Sequence, residues 1–247
     1  MDVVRMFNEL HCDSQKRHLV NALRNLFNFC QAQGLADKQW LDLLRSNLPK
    51  TSIGVDLKVP SESEIVEALK RIRDANANPR YFALYNLLLD SGLRVTEAIM
   101  LFNSLVSHTI QLERQQGYAV APLGYFRGTK LAYYGFITDN TLELITHCTK
   151  PTSYKKIVGT ASKRFKVVSY KYLRKFVFDT MTSEQLNIPE SVADFIEGRT
   201  PKSVGARHYM LLKRKAIQFY PRYADYLSGL RKTNPRKGQD GLENGIQ

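Results

Sequence analysis

Apolar residues recur at helical spacing along most of this chain and at strand spacing in one short stretch. Between residues 14 and 33, Leu19, Ala22, Leu23, Leu26, Phe29 and Cys30 fall on one helical face, with Ser14 as cap and Gly34 as stop. A shorter helix is predicted over 37–45, with Trp40, Leu41 and Leu44 inward. The segment PKTSIGVDLKVP, 49–60, has the Pro, Gly, Ser and Thr content of a linker. Ser61-Glu62-Ser63-Glu64 is a capping-box pattern, and Ile65, Leu69 and Ile72 make the stripe of the helix behind it. Asn78-Pro79 opens another helix. Its run 81–89 is apolar almost all round, the pattern of a buried helix, and Gly92 ends it.

From residue 107 to 138 the period changes. Segments 109–112, 118–126 and 131–137 are rich in β-branched and aromatic residues, with turns at Gly117 and at Arg127-Gly128-Thr129. Three antiparallel strands are predicted. Residues 139–148 return to helix. Ser169 caps the next one, which buries Leu173, Phe176, Val177 and Thr180. Pro189 opens a short helix stopped at Gly198, and a last one begins near Lys202 or Ser203. Its Ala216, Ile217, Tyr220, Tyr223 and Leu227 seat it on its own domain or on a neighbouring protomer. The fold class is therefore mainly α with a small three-stranded antiparallel sheet (α+β). A helical arm covers 1–50, a linker 51–60 and the main domain 61–230. A tail over 231–247 lacks apolar periodicity and reads as disordered.

Composition narrows the partner. With 36 Lys and Arg against 23 Asp and Glu, the net charge of +13 calls for a polyanion, nucleic acid first. Residues 150–175 hold nine Lys or Arg and no acid, and residues 199–222 hold seven and none. The odd, widely spaced Cys12, Cys30 and Cys148 fit a reducing cytoplasm rather than a disulfide framework. No zinc spacing, P-loop, signal peptide or membrane-length apolar run is present.

Several residues are candidates for chemistry. Arg94 follows the break at Gly92 on the edge of the core, where a planar guanidinium suits a phosphate, and Glu97 lies one turn on. Lys171 and Arg174 share a helix start, itself an anion-binding end. Arg199 follows the stop at Gly198. Tyr209 lies within the second basic segment; its phenol, with a pKa near ~10, is a poor nucleophile unless cations hold its target phosphate. Lys155, Lys156, Lys163, Arg164 and Lys166 on a basic loop, Arg127 on the hairpin, and Lys16, Arg17 and Arg24 on the arm are candidate DNA contacts.

These positions resemble the tyrosine recombinases, the phage integrase family, over roughly residues 60–226. SGLRVTEA at 91–98 is similar to the first box of that family, an arginine in a T/S-G-L-R-x-x-E setting. SYKYLRKF at 169–176 resembles the second, usually His-x-x-Arg, and DFIEGR at 194–199 the third, usually Leu-Gly-His. Tyr209 lies 11 residues after Gly198, near the family's spacing to its nucleophile. Lys171 stands where that family usually has His, and Arg199 where it has His or Trp. Such substitutions are similar to those of integrases carried by archaeal viruses and plasmids.

The resemblance implies an integrase-like catalytic domain behind a short helical arm, shorter than the usual core-binding domain. It implies Tyr209 as nucleophile on duplex DNA at an attachment site, with a 3′-phosphotyrosyl intermediate and a free 5′-hydroxyl. Arg94 and Arg174 would clamp the phosphate, Lys171 and Arg199 add donors, and Glu97 orient Arg94. Lys130 is the implied general acid, with Arg127 as its competitor. Tyr220 and Tyr223 are rival nucleophiles at longer spacing. No cofactor or metal is implied, and a homotetramer on DNA is. A DNA-binding architectural protein without chemistry is the alternative.

Overall fold

The computed structural model describes residues 3–10, 12–50, 56–127, 130–199 and 211–233. The chain falls into two compact units, 1–57 and 58–247.

The first unit is helical: α1 (Val3–Glu9), α2 (Asp13–Ala32) and α3 (Lys38–Ser46). The side chain of Asp37 caps α3, accepting from the Gln39 and Trp40 amides at 2.8 and 3.1 Å. Cys12 is the capping position of α2, which starts at Asp13, so Ser14 is inside the helix rather than its cap. Arg45 ties α3 to α2 through Asn28 (3.1 Å) and Gln31 (2.7 Å). Leu41 is buried, but Trp40 is 55% exposed, not inward; Leu26 and Phe29 are exposed as well. A hairpin this short buries only one row of each helix.

The second unit is built around α5 (Arg80–Ser91), against which α4 (Glu62–Asp74) and α6 (Val95–Val106) pack. The capping box of α4 forms: Ser61 and Glu64 exchange backbone and side-chain hydrogen bonds. Ala83, Leu84, Tyr85, Leu87 and Leu89 on α5 are fully buried. Gly92 ends α5 in the left-handed region, at φ 57°.

The sheet has order β1–β2–β3, all antiparallel: β1 (Glu113–Arg114), β2 (Tyr118–Arg127) and β3 (Lys130–Thr138). Its first strand is two residues long and follows the expected 109–112, where Ile110 and Leu112 pack on the core instead. β propensity without a pairing partner does not make a strand. A register shift between Pro122 and Tyr125 bends the long hairpin, whose last pair is Arg127 with Lys130.

Then follow α7 (Asp139–Thr146), α8 (Tyr154–Ile157), a π turn (Thr160–Arg164), α9 (Tyr170–Thr182), α10 (Glu190–Ile196) and α11 (Leu212–Lys232). The basic loop is thus partly folded. Ile157, Ala161 and Phe165 are buried beneath it, and Thr160 Oγ1 meets Tyr170 Oη at 2.9 Å. Ser169 precedes α9 but makes no side-chain cap.

Helix α11 seats on its own domain, burying Ala216, Tyr220, Tyr223, Leu227 and Leu230. It runs to Lys232, beyond the boundary expected at 230. Arg231 donates to Asn86 (2.9 Å) and Thr138 (3.0 Å) and pairs with buried Asp90. Asp90 in turn accepts from the backbone and hydroxyl of Thr138, both at 2.8 Å. The Asp90 charge on the central helix is therefore neutralised from the far end of the domain.

Candidate active site

Three chain segments converge where α5 ends. The turn after Gly92 delivers Arg94 to the start of α6; α9 presents Arg174; Glu197, Gly198 and Arg199 follow the last residue of α10. The turn geometry depends on two glycines. At Gly198 (φ +68°), an added Cβ would lie 2.8 Å from Ala132 Cβ on β3. The close approach of α10 to the sheet needs a residue without a side chain there.

Arg94 is fixed from its own helix. Its amide donates to Glu97 Oε2 at 3.0 Å and its guanidinium to Oε1 at 2.7 Å. The same guanidinium nitrogen donates to the Gly198 carbonyl at 3.0 Å, joining α6 to the end of α10. Glu97 is fully buried, so this is a sheltered pair with both carboxylate oxygens used.

Arg174 crosses between the other two turns. One nitrogen donates to the Gly92 carbonyl at 3.0 Å and to the Glu197 carbonyl at 2.8 Å. Its NH2 group is buried with no hydrogen-bond partner among the described residues. Burial, opposed by the pull of Glu197, brings the guanidinium down to about 10, so it is charged at neutral pH.

Glu197 is the residue that the sequence does not single out. Its carboxylate is fully buried. Arg199 Nε lies 2.9 Å and Arg174 Nε 3.6 Å from Oε2. Neither contact has hydrogen-bond geometry, and both carboxylate oxygens lack such a partner among the described residues. Burial pushes this carboxyl up to about 8, and Arg174 and Arg199 offset part of that rise. The available signal was an acid one turn after buried Ala193, at the end of a helix that buries its apolar face. In the box resembling Leu-Gly-His, Glu197 occupies the leucine position.

Arg199 completes the cluster. Its amide donates to the Asp194 carbonyl at 2.7 Å, its guanidinium lies 3.7 Å from Asp194 Oδ1, and it stacks over the Phe178 ring at 4.9 Å. The side chains of Arg94 and Arg199 are 30% and 35% exposed, so each keeps an edge open to solvent beside a buried interior.

The other candidates divide. Lys171 is exposed one turn before Arg174, its ammonium 4.3 Å over the Tyr172 ring; Lys175 and Lys58 approach the same ring at 5.5 and 5.6 Å. Lys155, Lys156, Lys163, Arg164 and Lys166 are exposed on the basic loop, with Arg164 over Tyr81 at 5.1 Å. On the arm, Arg24 is exposed, whereas Lys16 and Arg17 are half-buried and Lys16 covers Phe7 at 5.4 Å. Arg127 and Lys130 close the β2–β3 ladder; their side chains, like Tyr209, lie outside the described residues. Tyr220 and Tyr223 are fully buried, donating to the Asp90 carbonyl at 3.0 Å and the Leu89 carbonyl at 2.8 Å. Burial raises both phenols well above their usual range, opposite to what a nucleophile needs.

Among the described residues no helix is long and apolar enough to cross a membrane. The model of the archaeal phage integrase family matches residues 57–226, a span holding every residue of this cluster. Among curated proteins, none matches the chain.

Proposed function

We propose that this chain, which belongs to the archaeal phage integrase family, is a tyrosine recombinase that cuts and rejoins duplex DNA. The observation that carries the reading is the convergence of Arg94, Arg174 and Arg199 on the Glu197–Gly198 turn, each from a different helix or helix end. Three preorganised guanidiniums suit a phosphate whose charge grows in the transition state. The unpartnered NH2 of Arg174 supports the same reading, because a phosphate oxygen supplies the acceptor it lacks.

In this mechanism the Tyr209 oxygen attacks the scissile phosphorus and the 5′-oxygen leaves with a proton. A 3′-phosphotyrosyl bond forms as the phosphodiester bond breaks. A 5′-hydroxyl from a partner strand reverses the step, so the phosphoester energy is retained. Arg94 and Arg174 hold the non-bridging oxygens, and Glu97 orients Arg94. Lys171 and Arg199 add donors. Lys130 protonates the leaving oxygen, with Arg127 the alternative on the facing strand. The basic loop tracks the DNA backbone, the arm grips the duplex, and four protomers pair two sites. The product is an integrated or excised mobile element.

The test is a suicide substrate. A nicked or 5′-bridging phosphorothiolate duplex carrying the attachment site traps a denaturant-resistant protein–DNA adduct, and Tyr209→Phe abolishes it. Tight, salt-sensitive DNA binding with no adduct assigns the chain to the architectural class instead.

A further inference from the structure

The arginine cluster contains more acid than a phosphate site needs. Facing the three guanidiniums are Glu97 from α6, Asp194 from α10, and Glu197. From α11, Tyr223 is buried and held by the Leu89 carbonyl. Glu97 is committed, since both of its oxygens accept hydrogen bonds from Arg94. Asp194 sits at the edge of the cluster, 3.7 Å from Arg199. Glu197 is central and is held by charge, at 2.9 and 3.6 Å, with no hydrogen bond among the described residues.

A DNA phosphate and the Glu197 carboxylate therefore compete for the same guanidiniums. Two anions sharing one buried group of cations raise the proton affinity of the more basic one. A phosphodiester is far too acidic to take that proton, so the carboxylate takes it. We infer that Glu197 is the internal counter-ion of the arginine cluster and takes up a proton from solvent when a DNA phosphate binds. It thereby positions Arg174 and Arg199 in the free protein and releases them to the substrate. This rests on the recombinase reading for the identity of the anion. Because burial raises the free carboxyl to about 8, the uptake takes place above that pH, where the carboxyl of the free protein is ionised.

Two measurements on the full chain test it. The first follows carboxyl resonances of protein labelled with ¹³C-glutamate across pH, with and without sulfate as the phosphate probe. One resonance is expected to titrate well above the others, to be absent from Glu197→Gln, and to move higher with sulfate. Should Glu197→Gln fail to fold, Glu197→Asp in ¹³C-aspartate-labelled protein provides the same reading. The second is the rate of adduct formation on the suicide duplex as a function of pH. The ratio of wild type to Glu197→Gln should fall about tenfold per pH unit above the midpoint, as loss of one required proton dictates.

A Glu197 carboxyl that titrates with the other glutamates, or ignores sulfate, overturns the inference. So does an adduct whose wild-type to Glu197→Gln ratio is flat with pH, an outcome that leaves the recombinase reading standing. Absence of adduct from every variant sinks that reading instead, and the sulfate response still decides the role of Glu197.

Discussion

A Cβ placed on Gly92 would lie 2.6 Å from Glu197 Cγ and 2.8 Å from its Oε1. The turn that ends the central helix and the acid inside the arginine cluster thus fit only because residue 92 has no side chain. The backbone there is left-handed as well, at φ +57°. Gly92→Ala should destabilise the fold by roughly 1–3 kcal/mol from strain alone, and displace Glu197. Urea unfolding measures the first effect. A variant as stable as wild type would show that the turn relaxes freely.

Loss of either clamp arginine should be expensive for chemistry. Arg94→Ala or Arg174→Ala is expected to slow adduct formation by on the order of 10²–10³ if each donates to a developing oxyanion. Single-turnover rates on the suicide duplex read this directly. Near-wild-type cleavage by Arg174→Ala would remove it from the site.

The two buried tyrosines predict the opposite division. Tyr220→Phe and Tyr223→Phe each leave a helix-end carbonyl without its donor, which should cost about 1–3 kcal/mol of stability. Both variants should still form the adduct, whereas Tyr209→Phe should fold normally and form none. An adduct lost in Tyr223→Phe but kept in Tyr209→Phe would reverse that assignment.

Arg231 gives a prediction about where the domain ends. Removing it strands the buried Asp90 carboxylate, a change that costs roughly 3–5 kcal/mol in comparable buried pairs. A chain stopped after Leu230 should therefore melt well below one stopped after Thr233. Equal melting temperatures would mean that Asp90 finds other donors.

The pH dependence follows from Glu197. Its carboxyl is raised from 4.5 to about 8 in the folded chain, so the folded state keeps a proton that the unfolded state has released. The stability linked to that proton is full below the unfolded value and is lost as pH rises to about 8. Denaturant midpoints measured across this window should fall more for wild type than for Glu197→Gln. Parallel curves would place the Glu197 proton affinity in the ordinary carboxylate range.

The helical scaffold was legible wherever its signals were local. The capping box at Ser61, the all-apolar run of α5 and the break at Gly92 each need only a few neighbouring residues. What was not legible depends on partners far along the chain. Nothing near Asp90 announces Arg231, which meets it across 141 residues. Nothing near Glu197 explains an acid on a buried face until Arg174 and Arg199 are seen beside it. The outward Trp40 belongs to the same class of error, because helical periodicity cannot say which apolar positions find a partner. Arg94, Arg174 and Arg199 could be picked out singly, but their meeting point follows from the packing of α6, α9 and α10.

The carbonyls at the C-terminal end of α5 are satisfied by Arg174, Tyr220 and Tyr223, whose partners lie 82, 130 and 134 residues away. Synthesis runs from the N-terminus, so this helix end emerges from the ribosome long before any of its three donors exists. Contacts of that separation are among the slowest to form. A chain interrupted before residue 220 carries the basic loop and Arg174 but lacks the two tyrosines that close this helix end, so the end of α5 is completed only when synthesis is almost done.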